Sequence, residues 1–335
     1  MVELFKSSCF IQIDVNRSKL AEFTILGFLG PPSLQYIFFL LLLTTYLITL
    51  LSNSLIITIT LRERRLHIPM YYYLRTLSFL EICYVSVTVP KILSTITPHG
   101  RSISFYGCMT QVLLFFSMLS TECLLFGIMA YDRYLAICKP LHYTRLMSTT
   151  MCHSLSLCTF IGGFLTTSPQ IVLLFRLPFC GRNINHFFCD APPLLQLCCG
   201  DTSLINLMDF FNASFVILTS LTMTLVSYVY IITTILKIPT TTGQRRTFST
   251  CFSHLIVVSI YYSTITFMYV RPRLSSSFSL NRVVGVFYTV ITPILNPLIY
   301  CLRNKEVKDA IKNQLLKQNS RQVLQKIGFF KTAYL

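Results

Sequence analysis

Seven stretches of this chain, 34–60, 69–92, 109–131, 151–175, 204–236, 248–270 and 283–302, are each long and apolar enough to cross a lipid bilayer. A helix spanning a hydrocarbon core of roughly 30 Å needs about 20 such residues. The runs are joined by short polar segments, so the expected fold is an all-α membrane protein, a bundle of seven transmembrane helices.

Composition agrees: 53% of the 335 residues are hydrophobic, 12% are charged, and the mean hydropathy is +0.62. Those values exclude an ordinary soluble domain, and the runs leave no room for one between residues 34 and 302. A net charge of +16 could point to nucleic acid. The lysines and arginines, however, sit mostly in short loops and the last 33 residues, as membrane topology requires, so no nucleic-acid partner is expected. Asp14, Asn16, Arg17 and Lys19 break up any pattern of a cleaved signal peptide, and insertion is expected to rely on the first span.

Orientation follows from the loops, because cytoplasmic segments are enriched in Lys and Arg. One alternating set, with Arg62, Arg64, Arg65, Arg133, Lys139, Arg145, Lys237, Arg245, Arg246 and the tail, carries seventeen basic residues against ten in the other. The tail supplies eight of the seventeen. The N-terminus is therefore expected outside and the C-terminus in the cytoplasm. Asn16-Arg17-Ser18 is then a glycosylation acceptor on the lumenal side, whereas Asn212-Ala213-Ser214 falls inside a span and is discounted. Cys108, Cys180, Cys189, Cys198 and Cys199 fall on the oxidising side. Cys83, Cys123, Cys138, Cys158, Cys251 and Cys301 lie in or beside apolar runs and read as small buried hydrophobes.

Polar residues inside the spans are informative, since an ionisable group at the centre of a lone helix costs roughly 2.5–3.5 kcal/mol to insert. Asn53, Glu81, Glu122, Asp132 with Arg133, and Asn296 before Pro297 should face the bundle interior. Glu81 and Glu122 at similar depth either share a proton, hold a cation such as sodium, or form a protonated packing pair. No nucleophile or metal-ligand motif accompanies them, and the six histidines are scattered, so an enzyme is not expected. A transporter would show internal repeats and paired broken helices; the only strongly Pro-interrupted inner span is the seventh. Pro297 frees a backbone carbonyl that Asn296 can occupy, or Asn296 can reach across to a neighbouring helix. The pair is either a moving part or a packing kink.

"HIPMYYYLRTLSFLEICYVSVTVPKIL", "MAYDRYLAICKPLHY", Ser227-Tyr228, "RRTFSTCFSHLIVV" and "PILNPLIYCLRNKEVKDA", in this order after Asn16 and "EFTILGF", resemble the olfactory receptors within the rhodopsin-like G-protein-coupled receptors. The resemblance covers roughly residues 16 to 312. "VPKIL" and the Glu122 of "STECLL" are similar to the tetrapod-type branch. Departures are Ser52-Asn53 in place of Gly-Asn, Glu81 where Asp is frequent, "YYST" at 261–264 in place of Phe-Tyr-Gly-Thr, and Arg75 early in the second span.

The resemblance implies an extracellular N-terminus over 1–33, a receptor domain over 34–303, and a cytoplasmic amphipathic helix and tail over 304–335. It implies a small volatile ligand held by Val112, Phe115, Phe116, Leu119, Ser120, Asn212, Val216, Tyr262, Thr266, Tyr269 and Thr289. The seventh span has no lysine for a retinal Schiff base, and the outer half of the third has no acid for a cationic amine. Asp209 leaves a small opening for an amine. At the inner end the resemblance implies a switch of Asp132, Arg133, Tyr134, Tyr228, Asn296, Pro297 and Tyr300, with Asp132 holding Arg133 at rest. By family pattern Cys108 bonds Cys189 and Cys180 bonds Cys199, while from sequence alone Cys108 with Cys199 stays open. The implied partners are an odorant, a heterotrimeric G protein of the olfactory stimulatory type that raises cAMP, and membrane lipid, with no cofactor. The implied location is the plasma membrane, as a multi-pass protein of olfactory neuron cilia.

Overall fold

The computed structural model describes residues 21–28, 30–266, 289, 290, 292–303 and 306–312. Asn16 and Tyr269 lie outside the described residues, as does the side chain of Tyr300. Five helices are long and apolar enough to span a membrane: α1 (Pro32–Arg62), α2 (Pro69–Ser94), α3 (Phe105–Cys138), α5 (Thr149–Arg176) and α7 (Ser203–Leu236). With α8 (Thr241–Ile265) and α9 (Thr292–Arg303) they form the seven-helix bundle, and residues 306–312 continue as a further helical stretch. Two short helices lie in the connections, α4 (Pro140–Leu146) and α6 (Ala191–Leu195).

Helix starts are set by local chemistry. Pro32, Pro69 and Pro140 open α1, α2 and α4, where a missing N–H costs nothing. Ser104, Ser148 and Thr240 cap α3, α5 and α8 by accepting from Gly107 N, Met151 N and Gly243 N.

The bundle is inverted relative to a soluble protein. Leu40, Leu41, Leu51, Phe215, Leu218 and Val229 are exposed on the outer faces, while Asn53, Glu81, Glu122, Asp132 and Asn296 are buried. This is the arrangement that a hydrocarbon solvent selects. Helix α3 is central, packed on α2, α5 and α7. Close approach of α3 and α5 depends on Gly163, where an added Cβ would stand 2.6 Å from the Ser117 carbonyl oxygen.

One end of the bundle carries a small sheet, which nothing in the apolar pattern foretells. β1 (Glu22–Ile25) lies between β2 (Ser102–Ser104), antiparallel with Phe23 opposite Ile103, and β3 (Asn183–Ile184), parallel with Thr24 opposite Asn183. Alternation along β1 sends Phe23 and Ile25 inward, and the Phe23 ring meets Phe105 at 5.8 Å and Phe179 at 5.3 Å. The strand that leads into the first span is thus tied to the loop between α5 and α7.

That loop is fixed by two disulfides, Cys108–Cys189 with Cα atoms 5.5 Å apart and Cys180–Cys199 at 5.7 Å. The Cys108–Cys199 alternative is not the pairing found. Gln111 adds a polar clamp, accepting from Cys189 N at 3.0 Å and donating to Val87 O at 2.7 Å. Cys198 stays a thiol, and burial pushes it up to about 11, which keeps it protonated and poorly nucleophilic.

Candidate functional site

Below the disulfide-held loop a cavity of about 80 Å³ opens between α3, α5 and α7, with Ile265 of α8 on one side and Ala191 and Pro192 of α6 as a roof. Its wall is mostly apolar, with Ser120, Thr167, Gln170, Asp209 and Asn212 as polar members. Gln170 donates to Met208 O at 3.3 Å and Asn212 to Thr166 O at 2.8 Å, so both amides are oriented by the neighbouring helix. Such a wall suits a small, largely apolar ligand.

Of the residues expected to hold a ligand, Phe116, Leu119, Ser120, Asn212 and Val216 line this cavity. Val112, Phe115, Tyr262, Thr266 and Thr289 do not. Val112 belongs to the apolar cluster beneath the sheet. Phe115 turns toward α2 and the loop, stacked on Tyr84 at 5.2 Å and set against Phe188 at 5.1 Å. The Tyr262 hydroxyl is taken by Ser220, whose own hydroxyl bonds the Cys123 carbonyl. Thr266 is exposed and Thr289 fully buried. Thr167 and Gln170 were missed. His153, Ser154, Ser156, Thr159, Thr166 and Ser168 in the same span hide them, and only their spacing of three places both on one face.

Deeper in the bundle, Asn296 Nδ2 donates to Glu81 Oε1 at 2.5 Å, joining α9 to α2. Asn53 Nδ2 donates to Thr49 O at 3.1 Å and Pro293 O at 3.4 Å. Pro293 O is the carbonyl four residues before Pro297, the one left without a helical donor. Asn53 therefore fills the gap that Pro297 creates, and Asn296 reaches across instead. Glu122 is buried nearby on α3, and the two carboxylates would repel each other if both were charged. Among the described residues Glu81 Oε2 and Asn53 Oδ1 have no hydrogen-bond partner. Two orphan acceptors beside paired acids fit a proton or a small cation. Among the described residues no three His, Cys, Asp or Glu side chains gather as a metal site.

At the end opposite the sheet, Asp132 is buried and its Oδ1 accepts from the Tyr143 hydroxyl on α4 at 2.9 Å. Burial pushes the Tyr143 phenol well above its ordinary range, so the hydroxyl stays protonated and donates. Arg133 instead contacts the Met70 sulfur, and no hydrogen bond joins it to Asp132 among the described residues. Tyr143 thus supplies the hydrogen bond to Asp132, since α4 lies over the acid, while Arg133 acts on it through its charge alone. Tyr228 donates to Cys251 O at 3.3 Å and pairs with His254 Nδ1 at 2.9 Å, which ties α7 to α8. Tyr134 packs on Tyr230 at 5.6 Å. Tyr71 donates to Glu306 at 2.7 Å and so joins α2 to the stretch 306–312, where Val307 and Ala310 are buried and Lys308 and Lys312 exposed.

Comparison with known proteins adds the last observation. Residues 42–318 match the family model described as "Olfactory receptor". Mouse olfactory receptor 6B9 is 47% identical over 301 residues, covering 90% of this chain and 95% of that protein. Human olfactory receptor 6B1 is 47% identical over 307 residues, covering 91% and 98%. Human olfactory receptor 6N1 is 48% identical over 301 residues, covering 90% and 96%.

Proposed function

The chain belongs to the olfactory receptor family, and from that premise we propose that it binds a small volatile odorant in the cavity between α3, α5 and α7 and signals through a stimulatory, olfactory-type G protein that raises cAMP. Family membership makes it a multi-pass plasma-membrane receptor of the G-protein-coupled class and not an enzyme. The N-terminus is read as outside, with Asn16 glycosylated and the tail cytoplasmic; the excess of Lys and Arg at the Asp132 end and the disulfides at the other support this. Ciliary location is taken over from the family.

The mostly apolar cavity under a doubly bridged roof carries the reading. Its size also constrains the mechanism. A ligand burying roughly 200 Å² of apolar surface gains about 5 kcal/mol. Moving a bundle from 1:99 to 99:1 needs a difference of about 5.5 kcal/mol between its affinities for the two states. Because an odorant binds the resting state to some degree as well, its differential is smaller than its total. The two arrangements must therefore rest close to balance, with measurable signalling before any ligand arrives.

The inner end supplies the element that holds this balance. The Tyr143–Asp132 bond restrains α4 against α3, and activation releases Arg133 from Met70 toward the G protein, with Tyr134, Tyr228, Asn296, Pro297 and Tyr300 as the moving contacts. A hydrogen bond to a charged group contributes about 1.5–3 kcal/mol. Tyr143→Phe is expected to raise ligand-free cAMP several-fold with normal surface display; an unchanged baseline would remove the latch from Tyr143. Glu81 and Glu122 remain the place for a shared proton or a sodium ion.

The test is a cAMP reporter assay in cells carrying the olfactory G protein, screened against a panel of volatiles with Arg133→Ala as control. A response in the native receptor that is lost in the variant supports the reading. An odorant that signals equally through Arg133→Ala overturns it.

A further inference from the structure

We propose that the cleft at the inner ends of α1, α2 and α5 is a binding site for the phosphate of an anionic glycerophospholipid, with Arg75 and His153 as its ligands. The cleft encloses about 460 Å³, several times the odorant cavity, and is bounded by the end of α1, the start of α2, the short helix α4 and the start of α5. It lies within the range of small-molecule sites.

Its lining is basic, and the two acids that reach it, Glu306 and Asp132, are held from behind by the hydroxyls of Tyr71 and Tyr143. None of the described residues that line it is acidic, while Arg75, His67 and His153 are present. On the flanking segments 61–68 and 139–149, Arg62, Arg64, Arg65, Lys139 and Arg145 outnumber the single acid Glu63. Arg75 is half-buried and its guanidinium carbon stands 4.9 Å over the Tyr72 ring, which fixes the plane of the donor fork. The Tyr72 hydroxyl and His153 Nδ1 are 2.8 Å apart, and the two rings meet edge to face at 4.7 Å. With the phenol donating to Nδ1, the second ring nitrogen carries the proton and is a donor for an oxyanion. Both flanking helices begin here, at Pro69 and Thr149, with no acid in the first turn. Their positive ends add to the field of Arg75.

Depth selects a lipid over a soluble anion. Arg75 is six residues into α2, about 9 Å from its start along the axis. A cation there without an acid is costly unless an anion accompanies it. Leu61 and Ile68 in its lining are exposed, a surface for acyl chains and not for water. A planar guanidinium takes a phosphate through two parallel hydrogen bonds, and a choline headgroup would place a second cation against the same cluster. The cleft also includes Tyr143, so a bound headgroup abuts the Tyr143–Asp132 bond. The proposal rests on the functional reading only for which leaflet supplies the lipid.

Native mass spectrometry of the full chain in detergent tests it, with dioctanoyl phosphatidylserine, dioctanoyl phosphatidylcholine and inorganic phosphate as probes. One phosphatidylserine is expected to be retained where phosphatidylcholine is not. Its affinity should fall about tenfold in Arg75→Gln, fall less in Arg75→Lys and His153→Gln, and hold in Arg176→Gln at the far end of α5. Native affinity in Arg75→Gln and His153→Gln, equal losses in Arg176→Gln, or inorganic phosphate binding as tightly as the lipid would each overturn the proposal. Thermal midpoints of the same samples separate loss of the site from loss of the fold. Binding is read without odorant, G protein or a defined orientation, so it stands or falls independently of the signalling assay.

Discussion

Cells expressing Cys189→Ser are expected to display almost no folded receptor at 37 °C, and the loss should exceed that of Cys199→Ser. The Cys108–Cys189 bridge closes a loop of sequence separation 81, against 19 for Cys180–Cys199. On the chain-entropy account the longer loop contributes roughly 4–5 kcal/mol and the shorter about 3 kcal/mol. A domain is typically stable by only about 5–15 kcal/mol, so the first loss consumes much of the margin. The first bridge also anchors the loop that roofs the cavity directly to α3. Gln111, which accepts from Cys189 N, would then be left with the β1–β3 pairing to hold the loop. Flow cytometry on an N-terminal tag checks the ranking. Equal display of the native receptor and Cys189→Ser would remove the loop from the fold's main supports.

The second large effect is expected from Asn296→Leu. It is nearly isosteric, but it deletes the donor to Glu81 Oε1 on a buried carboxyl whose Oε2 has no hydrogen-bond partner among the described residues. Removing one partner of a buried polar pair costs about 1–3 kcal/mol if the acid is neutral and about 3–5 kcal/mol if it is charged. The thermal midpoint of purified receptor should fall accordingly, and its size reports the charge on Glu81. Repeating the melt in sodium and in choline chloride separates the two occupants. A sodium-dependent rise that vanishes in Glu122→Gln identifies the cation, and a melt indifferent to both salts identifies the proton. An unchanged midpoint in Asn296→Leu would contradict the bond itself.

Much of the architecture was legible because the bilayer leaves so little choice. Any run of 20 or more apolar residues must form a helix, and polar residues within it must face inward. Asn53, Glu81, Glu122, Asp132 and Asn296 are all buried, as that rule requires. The sheet was not legible, since strands of two to four residues are too short for alternation to be read. Nor could the pattern choose which stripe of α3 faces the cavity. That helix is enclosed on most sides, so Phe115 and Phe116 are equally apolar in sequence yet face different neighbours. Likewise the bond of Asp132 to Tyr143, and of Tyr71 to Glu306 across 235 positions, arises from how loops fold back over the bundle end. Periodicity within a span carries no record of such contacts.

The central claim is that odorant occupies the cavity between α3, α5 and α7. Ser120→Phe tests it most directly, because a phenyl ring built from the α3 wall leaves no room in a space of about 80 Å³. With surface display matched to native, the odorant-evoked cAMP response should disappear, or its midpoint should rise by about tenfold or more, while ligand-free signalling persists. An unchanged midpoint in Ser120→Phe would contradict the account and place the odorant elsewhere.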